Sequence, residues 1–289
     1  MKNTMSALAL LPALALIGCN PNTLDGTGEV TLQFGASETS ARTALRATTV
    51  SSIPVTDSSG QAAGSIGLNE AWVVVKEIEL EHETDDDDAL EEELEIEFVG
   101  PFAVDLLSGE TYPSLPSVSI DTGLYNDIEI DIEKLADSDL VGMPDLPQAI
   151  ADQLLNYSLY LEGTYTSQDG STYVAIPFSL SYDQTDEFEL SGTDFSQGFV
   201  VDDTGINDII VAFRLHEWFR FDNLETNSDG LELVNAITST EGGNALVLDG
   251  NTNSDLMDVI EDNIEESAEY GEDDDDDGEL DEDEDDDDD

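Results

Sequence analysis

The stretch Asp127-Ile128-Glu129-Ile130-Asp131-Ile132-Glu133 alternates isoleucine with acid at a period of two. Successive side chains of a β-strand point to opposite faces of the sheet, so this pattern specifies a strand with one buried and one solvated face. Upstream, Val118 and Ile120 form a shorter strand, and residues 71–80 form a longer one. In that longer run Trp72, Val74, Ile78 and Leu80 share one register and Val73 and Val75 the other. Lys76 interrupts the run, which predicts a bulge or a strand buried on both faces at its start only. The return strand carries Leu94, Ile96 and Phe98, and after Gly100-Pro101 the alternation resumes at Phe102, Val104 and Leu106. An acidic hairpin loop, residues 83–93 with Asp85 to Asp88 at its centre, joins the two.

Further out the same pattern recurs. Residues 29–34 alternate Val30, Leu32 and Phe34 with polar neighbours. Residues 35–64 are rich in Ser, Thr, Ala and Gly and poor in large apolar side chains, and read as a mobile excursion. Downstream, Pro144 and Pro147 mark a connection with a helical turn near residues 148–155. Residues 157–166 and 171–182 form a hairpin closed at Gln168-Asp169-Gly170-Ser171. Short strands follow at 188–190, 199–201 and 209–215. Leu256, Val259, Ile260 and Ile264 then fall on one helical face, so an amphipathic helix runs from Ser254, its cap, to about Ala268. Many short strands separated by turns predict a mainly β protein, an antiparallel β-sandwich with a short C-terminal helix and a disordered acidic tail.

The 289 residues carry a formal charge of −62, with 69 acids against seven lysines and arginines. Acids crowd residues 77–97 and 255–289. Such a surface repels nucleic acid and anionic lipid headgroups, which need basic groups to bind, and attracts cations. The acids spread between these clusters also suit a protein of a salt-adapted host.

The N-terminus reads as an address. Lys2 precedes an apolar run, residues 7–17, that ends in Leu16-Ile17-Gly18-Cys19, the pattern of a lipobox. The run is too short to span a bilayer of about 30 Å, and Asn20-Pro21-Asn22 ends it. Cleavage before Cys19 would leave that thiol, the sole cysteine of the chain, as a lipidated N-terminus and exclude any intrachain disulfide. Two acyl chains hold a protein stably where one does not. Asn20 in the next position fits delivery to an outer membrane or cell surface. The expected organisation is a signal peptide (1–18), a lipidated tether (19–27), the sandwich (28–200, containing the excursion), a strand and helix segment (201–270) and an acidic low-complexity tail (271–289).

The segments AWVVVKEIELE, FVGPFAVDLLSG, SVSIDTGLYNDIEIDIEKL and YLEGTY, with the Gln-Asp-Gly-Ser turn, resemble a β-sandwich domain of unknown function that follows lipoboxes in secreted bacterial lipoproteins. The family's Val-Asp-Leu-Leu and Tyr-x-x-Ile motifs match residues 104–107 and 125–128. The resemblance covers roughly residues 64–190 and implies an immunoglobulin-like or prealbumin-like sandwich in the cell envelope. The Ser/Thr excursion and the acidic loop depart from the family's compact pattern. The family has no assigned catalytic residues, so none is carried over.

Few residues suggest chemistry. His82 and His216 lack a second histidine or cysteine at ligand spacing. Gly-x-Ser-x-Gly, a phosphate loop and His-Glu-x-x-His are absent, so an enzyme is not expected. Tyr157, Tyr160, Tyr165, Tyr173 and Tyr182 crowd one hairpin and offer either a sugar-stacking face or ordinary cross-strand packing. Trp218, Phe219 and Phe221 read as core or subdomain packing.

The sharpest motif lies in the tail. Asp273, Asp275, Asp277, Gly278, Glu279, Asp281 and Glu284 match the calcium loop D-x-[DN]-x-[DN]-G-x5-E, with the amphipathic helix placed as its entering helix. Carboxylates at positions one, three and five would converge on the ion, glycine would permit the turn, and Glu284 would close the shell. In a tract this acidic only Gly278 and Leu280 are informative, and a solvated unstructured tail is the alternative. These features together predict a lipid-anchored envelope module, binding or structural, that responds to calcium and other divalent cations. A sandwich recognising an envelope protein or polysaccharide is the second reading and a secreted hydrolase the third.

Overall fold

A computed structural model describes residues 26–37, 52–82, 95–167, 175–191, 199–201, 206–222, 233–240, 243–251 and 253–272. In order, the strands are β1 (Thr27–Ser37), β2 (Ile53–Thr56), β3 (Ala62–His82), β4 (Glu95–Asp105), β5 (Thr111–Tyr112), β6 (Val118–Asp121) and β7 (Gly123–Ile132). After helix α1 (Gln148–Leu154) come β8 (Leu159–Ser167), β9 (Ile176–Tyr182), β10 (Asp186–Ser191), β11 (Phe199–Val201) and β12 (Ile206–Arg214). The short helical turn α2 (Leu215–Trp218) leads to β13 (Ile237–Thr240), β14 (Gly243–Asp249), helix α3 (Ser254–Ser267) and β15 (Ala268–Glu272).

These strands make two sheets. The smaller has the order β15-β12-β1-β6; the larger runs β10-β7-β3-β8-β9-β14-β13, with β2 and β4 also paired to β3, β11 to β7 and β5 to β4. The protein is mainly β, as the alternating runs require. Most pairs are antiparallel, but β1 lies parallel to β12 and β9 parallel to β14. Both parallel pairs join distant parts of the chain, which alternation within one strand cannot reveal. Through them β12 to β15 complete both sheets, and among the described residues the main core draws on strands from β1 to β15.

That core lies between the sheets. Val30, Leu32, Phe34, Val211 and Phe213 of the smaller sheet meet Ile78, Leu80, Ile128, Ile130 and Leu161 of the larger, all at most 3% exposed. Phe199 stacks on Tyr125 with ring centroids 5.4 Å apart and meets Tyr270 of β15 edge-on at 5.9 Å, so three aromatic rings tie one sheet to the other. Trp218, Phe219 and Phe221 are fully buried, as expected of core residues.

The polar interruption at Lys76 is a bulge: the pairing of β3 with both β4 and β7 shifts register between Val75 and Glu77. Its consequence corrects the expected faces. Val73 and Val75 share the main core with Ile78 and Leu80, because the extra residue reverses the alternation. Trp72 and Val74 instead face a second cluster, where Leu135, Met143, Leu146, Ile150 and Leu154 from the β7 to β8 connection cover the outer side of β3, β4 and β8. Gly100 of β4 sits against the bulge; a Cβ there would come within 2.7 Å of the Val75 carbonyl oxygen and 2.8 Å of that of Lys76.

Two further expectations are corrected. The Ser/Thr-rich excursion is not mobile throughout: β1 extends to Ser37, and β2 pairs antiparallel with the start of β3, burying Ile53 and Val55. Two inward residues suffice for so short a hairpin strand, which is too few to register as a pattern. Its turn is held by Asp57, whose Oδ1 accepts bonds from the backbone N–H groups of Ser59 and Gln61 at 2.9 and 3.0 Å. Helix α3 does bury Leu256, Val259, Ile260 and Ile264, but Ser254 does not cap it. Asn253 occupies that position, and its Nδ2 donates to the Val247 carbonyl instead of capping.

Candidate metal centre

The bulge in β3 decides which residues reach the outer surface beside it. Past Lys76, Ile78 and Leu80 turn inward, so Glu77 and Glu79 turn outward. The antiparallel register sets Glu97 of β4 directly opposite Glu79. On the other side of β3, β7 sets Asp131 opposite Glu77 and Glu129 opposite Glu79, because Ile128, Ile130 and Ile132 are inward. One face of the sheet therefore feeds the core and the other carries acids in register on adjacent strands.

Among the described residues, Glu77, Glu79 and Glu97 form one group, each offering a carboxylate oxygen within 4.8 Å of the other two. Like charges directly opposite on neighbouring strands repel. At about 4 Å in water that repulsion is of order 1 kcal/mol per pair. Oxygen-only ligands of this kind suit a hard cation such as calcium or magnesium. Lys76 lies at the edge, with Nζ 3.9 Å from both Glu133 and Asp139, too distant for a tight ion pair with either.

A second acidic group lies near the middle of β3. Glu70 faces Glu162 across the β3–β8 pair, and the phenol of Tyr160 donates to Glu162 Oε2 at 2.6 Å. Partial burial pushes the Glu70 carboxyl above its ordinary range, and Glu162 and Asp105 add to this. Burial likewise raises the Tyr160 phenol, with Glu162 contributing.

The residues singled out from sequence fall elsewhere. Cys19 and the tail ligands Asp273, Asp275, Asp277, Glu279, Asp281 and Glu284 lie outside the described residues, as do the acidic loop at 83–93 and Tyr173. The placement of α3 as an entering helix is corrected: it ends at Ser267, and Ala268–Glu272 forms β15, paired with β12, before the tail begins. The tyrosines divide between environments. Tyr165 and Tyr182 belong to the main core, while Tyr157 and Tyr160 stack on the outer side at 6.3 Å. These four do not form one face. His82 ends β3 opposite Tyr125, and His216 sits in α2. The Glu77, Glu79 and Glu97 group is not among the sites expected from sequence, where the acidity of residues 77–97 centres on the loop at 83–93. The signal lay in the strands themselves, where the polar positions on both sides of the loop are glutamates.

No protein-family model, curated protein or solved structure matches the chain.

Proposed function

We propose that this protein is an envelope module that collects divalent cations, held to the membrane by lipid on Cys19. The observation that carries the reading is the approach of Glu77, Glu79 and Glu97 within 4.8 Å on a sheet face whose reverse side is core. The sheet holds these three carboxylates close enough for one cation to be shared among them. The net charge of −62 raises the local cation concentration further. The lipobox at residues 16–19 and the resemblance to lipoprotein sandwich domains support the address. The calcium-loop motif from Asp273 to Glu284 supplies a second acidic element with the same preference. A cation shared between this face and an anionic envelope polysaccharide would also give the module an adhesive role.

The test is a calorimetric calcium titration of the full chain in moderate salt and excess magnesium. It is compared with a Glu77→Gln/Glu79→Gln/Glu97→Gln variant and with a variant whose tail acids at 273, 275, 277 and 284 are changed to amides. Saturable binding lost in the first variant locates the site on the sheet. Binding lost only in the second places it in the tail. Non-saturating heat that salt erases in every protein contradicts the proposal, because screening removes diffuse attraction but not a shaped oxygen cage.

A further inference from the structure

Among the described residues, Nδ1 of His216 is the one buried side-chain nitrogen or oxygen without a hydrogen-bond partner. The other ring nitrogen, Nε2, lies 3.0 Å from Oε1 of Glu217. Glu217 is shared, since its Oε2 accepts a 2.7 Å bond from Arg220 Nη1. With Nε2–H donating to Glu217, Nδ1 of the neutral imidazole keeps a buried, unpaired lone pair, and protonation would replace it with a buried N–H that has no acceptor, the costlier of the two orphans.

The surroundings reinforce that preference. Burial holds the imidazole below its ordinary range, and Arg214 of β12 and Arg220 act in the same direction, while Glu217 opposes them. Asp222 is engaged by Arg220 Nε at 3.2 Å. Helix α3 meets the turn with neutral groups: Asn263 Nδ2 donates to the carbonyls of Trp218 and Arg220, and Ser267 Oγ accepts from Trp218 Nε1. Strand β2 is hydrogen-bonded to it through the backbone, Thr56 N–H donating to Phe219 O at 3.1 Å and Phe221 N–H to Thr56 O at 3.0 Å. Just past β2, the carboxyl of Asp57 is occupied by Ser59 and Gln61.

We propose that His216 is an acid-sensitive latch: a proton on Nδ1 creates a buried donor with no acceptor, drives the imidazole from its site and loosens the seam between α2 and β2. Glu217 compensates only in part, because Arg220 already draws on it. The sign follows from linkage. The folded form holds His216 below the value of about 6.5 that an unfolded chain shows, so stability falls as pH drops through that region.

The test uses the full chain in a His82→Gln background, so that one imidazole remains. Thermal unfolding is followed from pH 7.5 to 5.5 with and without His216→Gln. The protein retaining His216 is expected to lose about 2–4 °C more in its midpoint than the variant over that range. Parallel curves overturn the proposal. Should His216→Gln not fold, NMR of the protein that retains His216 decides. The imidazole resonance and the amides of Thr56 and Phe221 are expected to shift along one titration curve, and amides unmoved while the imidazole titrates overturn the latch.

Discussion

Asn263 shows how much a single side chain can carry in this fold. It is 3% exposed, and its Nδ2 bonds two carbonyls, at 3.2 Å to Trp218 and 2.8 Å to Arg220, which anchors α3 to the chain leaving α2. Asn263→Ala leaves both carbonyls unsatisfied and is expected to cost about 1–3 kcal/mol in denaturant unfolding. Glu70 works in the opposite direction. Its carboxyl is held above the ordinary range by burial and by Glu162 and Asp105, so its ionised form at neutral pH opposes folding. Glu70→Gln is therefore expected to raise the thermal midpoint at pH 7. That gain should shrink as pH falls and vanish below the ordinary carboxylate range, where the wild-type group is protonated in both states. Tyr125 sets an alkaline limit. Burial, helped by Asp121, pushes its phenol up to about 12, so stability should fall as pH rises from about 10 toward 12, and Tyr125→Phe should remove that part of the loss.

At the scale of elements, β3 organises the molecule, pairing with β2, β4, β7 and β8. Its bulge between Val75 and Glu77 assigns Ile78 and Leu80 to the core and Glu77 and Glu79 to solvent. Gly100 is what lets β4 approach that bulge, so Gly100→Ala must displace the backbone of Val75 and Lys76. It is expected to cost about 1–3 kcal/mol and to weaken any cation site on Glu97, read by urea unfolding and by the calcium titration. Much of this was legible beforehand. The isoleucines of β7, the helical face of α3 and the interruption at Lys76 each declare themselves within a few residues. The direction of the side chains beyond Lys76 was not, because a bulge reverses parity by an amount that alternation alone does not specify. The pairing of β1 with β12 and of β9 with β14 was not either, since contacts between distant segments leave no local periodicity.

For the whole molecule, charge is the governing quantity. With 69 acids and seven lysines and arginines, the folded chain concentrates like charge, and the sheet face around Glu79 does so at fixed spacing. Monovalent salt should stabilise the protein generally by screening, whereas calcium at far lower concentration should do so by binding the folded state alone. The candidate site was only half visible in the sequence. The count of acids between residues 77 and 97 was plain, but which of them converge depended on the register of β3 against β4. The most direct measurement is anomalous diffraction from crystals of the full chain grown with manganese as a stand-in for calcium. The account predicts an anomalous peak among the carboxylates of Glu77, Glu79 and Glu97, within about 2.6 Å of their oxygens. Crystals in which this sheet face is free of lattice contacts but shows no peak at saturating manganese would contradict it.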